Sequence, residues 1–485
     1  MRFVPPPGER ISPEIWKRAY VTGLEGIPFP CRCIYSPEML TIVRDINESG
    51  SLHVPYPVDD VGELVLSTTS LAERPEPYLL ELELARGTIN RLRNQSIEWE
   101  MAGLKIAADL QAKLRHSTGV FARAASSRRS SPDECQTLSA EAIRMGCRAI
   151  DRLGEEYGRQ ALAFRHQQTT RLATLLTGDI GMSAPYEGEG ARRFCDAFNS
   201  VSIPVSWKSV EEDSGEYDWT LLDQQVAWAE EHQVRAICLG PIFNPRKEML
   251  PDWIYLWEDD FDQLQSRVSQ FLQQVVLRYR GRVLLWQCAT GLNLPLGLSI
   301  TEEQRLRLAV RTVEAIRQAD PRTPIVITFE DPWGEYLTND NIDLSPLHFA
   351  DALVRADLGL SGVGLRIDFG EPGGLAARDP LEISRLIDRW GLLDIPLMVT
   401  TSIVGGPSQD GRQPSAQFAT PAQQALQAKR ILPILLAKQA VHGIIWGQID
   451  DRQPHQRHAA GLFDASSIAK PVLETLADLR QEHLS

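Results

Sequence analysis

The stretch Arg282-Val283-Leu284-Leu285-Trp286-Gln287-Cys288-Ala289-Thr290-Gly291 decides how the larger part of this chain is read. Val283 to Cys288 is apolar at both odd and even positions, the pattern of a strand covered on both faces in a parallel sheet rather than one with a wet side. A helical pattern precedes it at Asp262–Tyr279 and another follows at Glu302–Ala319. The same alternation recurs from about Gln168 onward. Further apolar runs stand at Leu172–Leu176, Val234–Cys238, Pro324–Thr328, Gly362–Ile367, Pro396–Thr400 and Gly443–Trp446, with an eighth strand expected near Ser200–Val205 and another helix at Pro421–Gln439. Eight βα units close most naturally into a (β/α)8 TIM barrel, with any chemistry where strands end and βα loops begin.

Upstream the pattern differs. Residues 1–78 carry Pro-rich, short β-like runs such as Gly62-Glu63-Leu64-Val65-Leu66-Ser67-Thr68 and read as a small β-rich unit. In residues 79–168, Ile97, Met101, Leu104 and Ala108 recur at helical spacing, widened by Ile106, Leu110 and Leu114. A second helix gathers Ile143, Cys147, Ile150, Leu153 and Tyr157 on one face. The loop AASSRRSSPDE between them ends on a helix-start signal, so a long helical hairpin is expected, with a structural or partner-binding role. The expected order is β-rich unit, hairpin, then the barrel at 169–485.

Composition narrows the function. With 485 residues, 43% hydrophobic and 24% charged, the chain can bury a large core. A net charge of −14 without a long basic run argues against nucleic acid. No apolar run reaches membrane-span length and the first residues lack a signal-like apolar segment, so no membrane association and a cytoplasmic address are expected. The seven dispersed cysteines, with Cys31-Arg32-Cys33 at the wrong spacing for zinc, suggest neither a disulfide framework nor a metal site. No phosphate-cradling loop is present; Gly370-Glu371-Pro372-Gly373-Gly374 is a turn-rich loop, and no cofactor is expected. His455 and His458 with nearby carboxylates read as a solvated polar loop.

Several ordered motifs carry a family resemblance. Phe198-Asn199-Ser200-Val201 with Trp207-Lys208, Gly215-Glu216-Tyr217-Asp218-Trp219, Pro251-Asp252-Trp253, and Arg278-Tyr279-Arg280-Gly281-Arg282-Val283 before Trp286 come first. Trp446-Gly447-Gln448-Ile449-Asp450, Gly461-Leu462-Phe463-Asp464 and Lys470-Pro471 close the series. Together they resemble glycoside hydrolase family 10, the endo-xylanase family, over roughly residues 170 to 485. The resemblance implies an acid/base Glu after the fourth strand, in Trp-Asp-Val-Val-Asn-Glu, and a nucleophilic Glu on the seventh, in Thr-Glu-Leu-Asp. Here the first position falls on Gly291 and the second on Thr401. Retaining hydrolysis requires two carboxyl groups about 5–5.5 Å apart, and neither family carboxyl is present.

The sugar-binding shell that the resemblance implies is thinned as well. Pro204 and Val205 replace a Glu-Asn pair, Arg366 and Asp368 replace a Gln and a His, and a second Trp falls near Pro454; Lys208 and Trp446 are kept. Lys208 and Trp446 are the sugar contacts that the resemblance implies, by hydrogen bonding and by stacking, with Trp446 alternatively a packing residue of the barrel mouth. Arg366 and Asp368, two apart on a strand, face the same side, either as an ion pair or with Arg366 holding an anionic group. Glu330, Asp331, Asp368 and Asp450 are the other carboxylates expected at strand ends. Three functions follow: a catalytically inactive carbohydrate-binding barrel, a hydrolase with relocated carboxylates, or a scaffold whose hairpin binds a protein partner or a second copy.

Overall fold

The β-like runs at the start of the chain pair as seven short strands. They are β1 (Arg2–Val4), β2 (Tyr20–Thr22), β3 (Arg32–Ser36), β4 (Met39–Val43), β5 (Ser51–Val58), β6 (Gly62–Ser67) and β7 (Tyr78–Leu79). The computed structural model describes residues 1–6, 16–338, 342–370, 377–406, 420–452 and 459–485. Within them the N-terminal strands form a four-stranded sheet in the order β3-β4-β1-β7 and a three-stranded sheet β2-β5-β6. Leu52, Val54, Tyr56 and Val58, two apart along β5, are all buried, as strand alternation requires of a face turned to the core.

Three helices follow, not a two-helix hairpin: α1 (Leu80–Met101), α2 (Ala108–Ser127) and α3 (Pro132–Gln168). The first predicted stripe fails because α1 ends inside it. Gly103 takes φ +103°, its amide donates to Glu100 O at 3.0 Å, and the Leu104 amide donates to Trp99 O at 2.8 Å. This is the 6→1 and 5→2 pattern of a Schellman stop. The break resets the helical phase, leaving Ile97 and Met101 exposed while Leu92 and Trp99 are buried. On α3 the predicted face holds: Ile143, Cys147, Ile150 and Leu153 are all buried.

The remaining strands close an all-parallel eight-stranded barrel. In order they are β8 (Leu175–Asp179), β9 (Ser200–Ile203), β10 (Ala236–Leu239), β11 (Leu285–Thr290), β12 (Ile325–Glu330), β13 (Gly362–Phe369), β14 (Leu397–Ile403) and β15 (Val441–Trp446), with β15 pairing back to β8. The fold is a (β/α)8 barrel preceded by a β-rich unit and helices. Its helices are α4 (Gly188–Ala197), α5 (Trp207–Val210), α6 (Thr220–Glu231), α7 (Phe261–Tyr279), α8 (Glu302–Ala319), α9 (Pro346–Arg355), α10 (Pro380–Gly391), α11 (Pro421–Ala437) and α12 (Pro471–His483). Their starts are written locally. Asp260, Ser345, Asp379 and Thr420 accept the first free amides, and Thr301 with Gln304 makes a full capping box. Among the described residues no helix is long and apolar enough to cross a membrane.

The helical unit lies directly on the barrel. A Cβ at Gly154 of α3 would stand 2.7 Å from Pro380 Cβ, and one at Gly158 would stand 3.2 Å from Pro433 Cβ, so glycine at both positions lets α3 approach α10 and α11 closely. A buried charge network ties the units together. Arg91 of α1 donates to Glu382 Oε1 at 2.6 Å and lies in an ion pair with Asp379 Oδ2 at 2.9 Å. Arg378 donates to Tyr20 Oη of β2 at 2.7 Å and also to Glu335. Tyr20 stacks on His53 with ring centroids 4.9 Å apart. Burial, with Arg378 beside it, pushes the His53 imidazole down to about 3.

Candidate functional site at the barrel mouth

Strand alternation sorts the barrel interior into layers. Leu175, Cys238, Leu285, Val326, Met398 and Ile445, one from each of six strands, form an apolar plug. Above it come hydroxyls and an amide: Thr177 and Ser200 share a hydrogen bond of 2.5 Å, and Gln287 donates to Ser202 at 3.1 Å. The strand ends then present Asp179, Thr290, Glu330, Arg366, Asp368 and Ser402. That last layer is the candidate site.

Gly291 follows the fourth barrel strand at φ +68°, a conformation that glycine adopts without a Cβ penalty. A Cβ there would stand 3.0 Å from Leu296 Cδ1 and 3.1 Å from Glu330 Oε1. The Glu330 carboxylate therefore fills the space that a side chain at 291 would enter. It is buried, accepts from Thr290 Oγ1 at 3.2 Å, and pairs with Arg246. The Asn293 side chain brackets the Glu330 peptide, accepting from its N–H at 3.2 Å and donating to its carbonyl at 2.7 Å.

On the seventh strand, Thr401 is buried on the face it shares with Val399 and Ile403, and its hydroxyl has no hydrogen-bond partner among the described residues. Alternation turns its neighbour, Ser402, into the mouth, where Ser402 donates to Asp368 Oδ1. The position facing the mouth is thus 402, one residue on from the one the motif comparison indicated. Arg366 Nε donates to Asp368 Oδ2 at 2.7 Å, so the pair two apart on β13 does share a face.

The other expected residues go to different places. Asp331 leaves the mouth: its φ is +47°, its Oδ2 accepts from the Tyr336 amide at 3.1 Å, and burial, with Glu335 close by, raises its carboxyl to about 7. It belongs to the junction around Arg378. Asp450 accepts from Tyr186 Oη at 2.5 Å and from Arg452 Nη2 at 2.5 Å. Burial opposes its ionisation, but these hydrogen bonds outweigh it and hold the carboxyl below its ordinary range. Trp446 has no exposed face, and its Nε1 donates to Ala460 O at 3.2 Å, so the stacking expected of it does not fit its burial. Lys208 is part-exposed and tied to Asp252 Oδ1 at 2.8 Å.

Two members of the site escape a reading by motif. Asp179 ends β8, three residues beyond the apolar run that marks this strand in the sequence. Its Oδ1 accepts from the Gly181 amide at 2.8 Å, and it makes no ion pair within the described residues. Crowding by protein raises its carboxyl to about 7, against the lowering effect of the Gly181 amide and of Arg366. Arg246 lies in the Phe243-Asn244-Pro245-Arg246 loop after β10, where only its contact with Glu330 marks it out. Among the described residues no group of three or more His, Cys, Asp or Glu could hold a metal ion. His455 and His458, Pro454, the 371–374 turn and most of the 405–420 loop lie outside the described residues.

No family model matches this sequence, and no curated protein does. Solved structures do match. Native xylanase 10B from Thermotoga maritima aligns over 65% of this chain and 98% of its own, at 16% identity and a TM-score of 0.50. A family 10 endoxylanase from a sugarcane soil metagenome aligns over 64% and 97%, at 12% identity and a TM-score of 0.50. The class is therefore that of a TIM barrel like those of the family 10 glycoside hydrolases. At these identities the likeness defines the fold alone.

Proposed function

We propose that this barrel binds a carbohydrate at its mouth and does not hydrolyse it by the double-displacement route of the enzymes whose fold it shares. The observation that carries this reading is the filled acid/base position: Gly291 offers no carboxyl, and the space beside it is taken by Glu330 held against Arg246. At the seventh strand, Ser402 presents a hydroxyl to the mouth where a carboxylate nucleophile would stand. What remains is a ring of hydroxyl, amide, guanidinium and carboxylate groups above an apolar plug, chemistry that suits a polyhydroxylated ligand. Assays on xylan and aryl-xylosides should show no turnover, while calorimetric titration with neutral and acidic oligosaccharides should show binding. Turnover by the unmodified protein would overturn the reading.

One observation favours a second reading, hydrolysis through relocated carboxylates. Glu330 comes within reach of the family acid/base position, and Asp179 has a carboxyl raised to about 7, in the range useful for a proton donor. Under that reading, activity would be present and would vanish with Glu330→Gln or Asp179→Asn.

A further inference from the structure

The charged groups around the barrel mouth are arginine–carboxylate pairs. Glu330 and Asp450 are buried, and each pairs with an arginine that is far more exposed, Arg246 and Arg452; part-buried Asp368 pairs with Arg366, two residues before it on β13. Glu330 and Arg366 are register partners on adjacent strands, with both side chains on the inward face. Arg246 therefore stands on one side of Glu330 and Arg366 on the other. Arg366 also acts electrostatically on Asp179, which projects from β8. Arg246 and Arg366 thus flank Glu330 at one opening, while Arg452 stands on the loop after β15. Arg246 spends one amino group on Glu330, and no other side-chain donor of Arg246 is bonded within the described residues. A guanidinium carries five N–H donors in a planar fork that matches a carboxylate or phosphate.

We propose that the ligand of this mouth is anionic, its carboxylate or phosphate held by Arg246 and Arg366, with Arg452 making a further contact on the β15 side. The partner carboxylates act as positioning groups, fixing each fork before the ligand arrives and so lowering the ordering cost of binding. Asp179 supports the same polarity. With a carboxyl raised to about 7 it is largely neutral in mildly acidic solution and adds little repulsion toward an anion. This inference rests on the carbohydrate-binding reading and specifies the charge of its ligand.

The test is titration of the full chain with matched pairs at low and at moderate salt. Galactotriose is compared with trigalacturonate for the carboxylate arm, and galactose with galactose 6-phosphate for the phosphate arm. The charged member of at least one pair should bind about tenfold or more tightly, the scale of one to two charge-assisted hydrogen bonds. Added salt should weaken that binding. Arg246→Ala combined with Glu330→Gln, which strands no buried carboxylate, should remove most of the preference, and so should Arg366→Ala. Equal affinity within both pairs would overturn the anion assignment while leaving the carbohydrate reading in place. A preference that survives both variants would overturn the assignment to these arginines, and no binding of any of the four would remove both readings together.

Discussion

Among the arginine–carboxylate assemblies of the described residues, those of the junction and of the barrel mouth are built in opposite senses. At the junction of the β-rich unit, the helices and the barrel, the cations are sunk with their partners: Arg91 and Arg378 side chains are 10% and 2% exposed. At the barrel mouth the carboxylates are sunk and the cations are not: Arg246 and Arg452 are 43% and 54% exposed above Glu330 and Asp450. A fully buried pair is shut off from any ligand, so the junction serves to fix one unit against another. A half-exposed guanidinium on a buried anchor is oriented yet open to solvent. Depth, more than the presence of ion pairs, separates the structural assembly from the site.

The junction should yield the largest effect. Arg91→Ala leaves Asp379 and Glu382 without their shared cation in a dry setting. Removing one partner of a buried pair costs about 3–5 kcal/mol. Denaturant unfolding should register a loss on that scale, with β5, β6 and the helices losing hydrogen-exchange protection first. A loss under 1 kcal/mol would erase the distinction between junction and mouth.

Gly291→Glu probes the mouth from the other side. The new side chain must adopt φ +68° and meet Glu330 Oε1 at about its own van der Waals limit, like charge against like. The left-handed backbone costs about 1 kcal/mol or more, and with the repulsion a total loss of about 2 kcal/mol is expected. Adding Thr401→Glu should still bring no xylanase activity, because residue 401 lies on the face away from the mouth. Hydrolysis by the double variant would show that the family geometry had been retained.

How much of this was legible in the sequence follows from what each feature depends on. The barrel was readable because a strand buried on both faces writes apolar residues at odd and even positions alike, as Leu285, Trp286 and Cys288 do. The β-rich start was legible in short β-like runs such as Gly62 to Thr68, most of which forms β6. The helical unit was half-read: hydrophobic periodicity runs through Gly103 as if the helix continued, and only the left-handed glycine breaks its phase. Within the site, the pairing of Arg366 with Asp368 followed from two-residue alternation along one strand. Arg246 with Glu330 did not, since it joins the third and fifth strands through a loop, and no local spacing records that contact. Asp179 was lost to a strand boundary drawn three residues early. Asp331 was misplaced because adjacent residues at a strand end leave in opposite directions.

Asp179 gives the pH dependence. Its folded value of about 7 lies above the ordinary 3.8, so the folded state holds the proton more tightly than the unfolded one. Stability falls as pH rises between these values, and above about 7 the full cost of the ionised form is present. Asp179→Asn should therefore stabilise the protein at pH 8 by about 1–3 kcal/mol, with the gain shrinking toward zero near pH 4. Thermal unfolding of both proteins across that range reads the crossover. A constant difference at every pH would mean that Asp179 does not titrate in this window, and the mouth would then be more anionic than the anion assignment assumes.

The smallest stability effect is expected at Arg452, and it sharpens the comparison most. Its guanidinium is more than half exposed, and its bonds run to Asp450, two residues away on the same loop. Water replaces an exposed cation cheaply, so such pairs contribute about 0–1 kcal/mol. Asp450 also keeps the Tyr186 hydroxyl, which donates to the same carboxylate. Arg452→Ala should accordingly shift the melting temperature by no more than a degree or two, within the range that a 1 kcal/mol change produces in a chain of this size. In the same variant, affinity for an acidic oligosaccharide should fall several-fold, the loss expected of one outer charge-assisted contact. A residue that orders the fold moves the first quantity, and one that faces a ligand moves the second. If Arg452→Ala instead melts the protein well below wild type and leaves binding untouched, the mouth arginines belong with those of the junction.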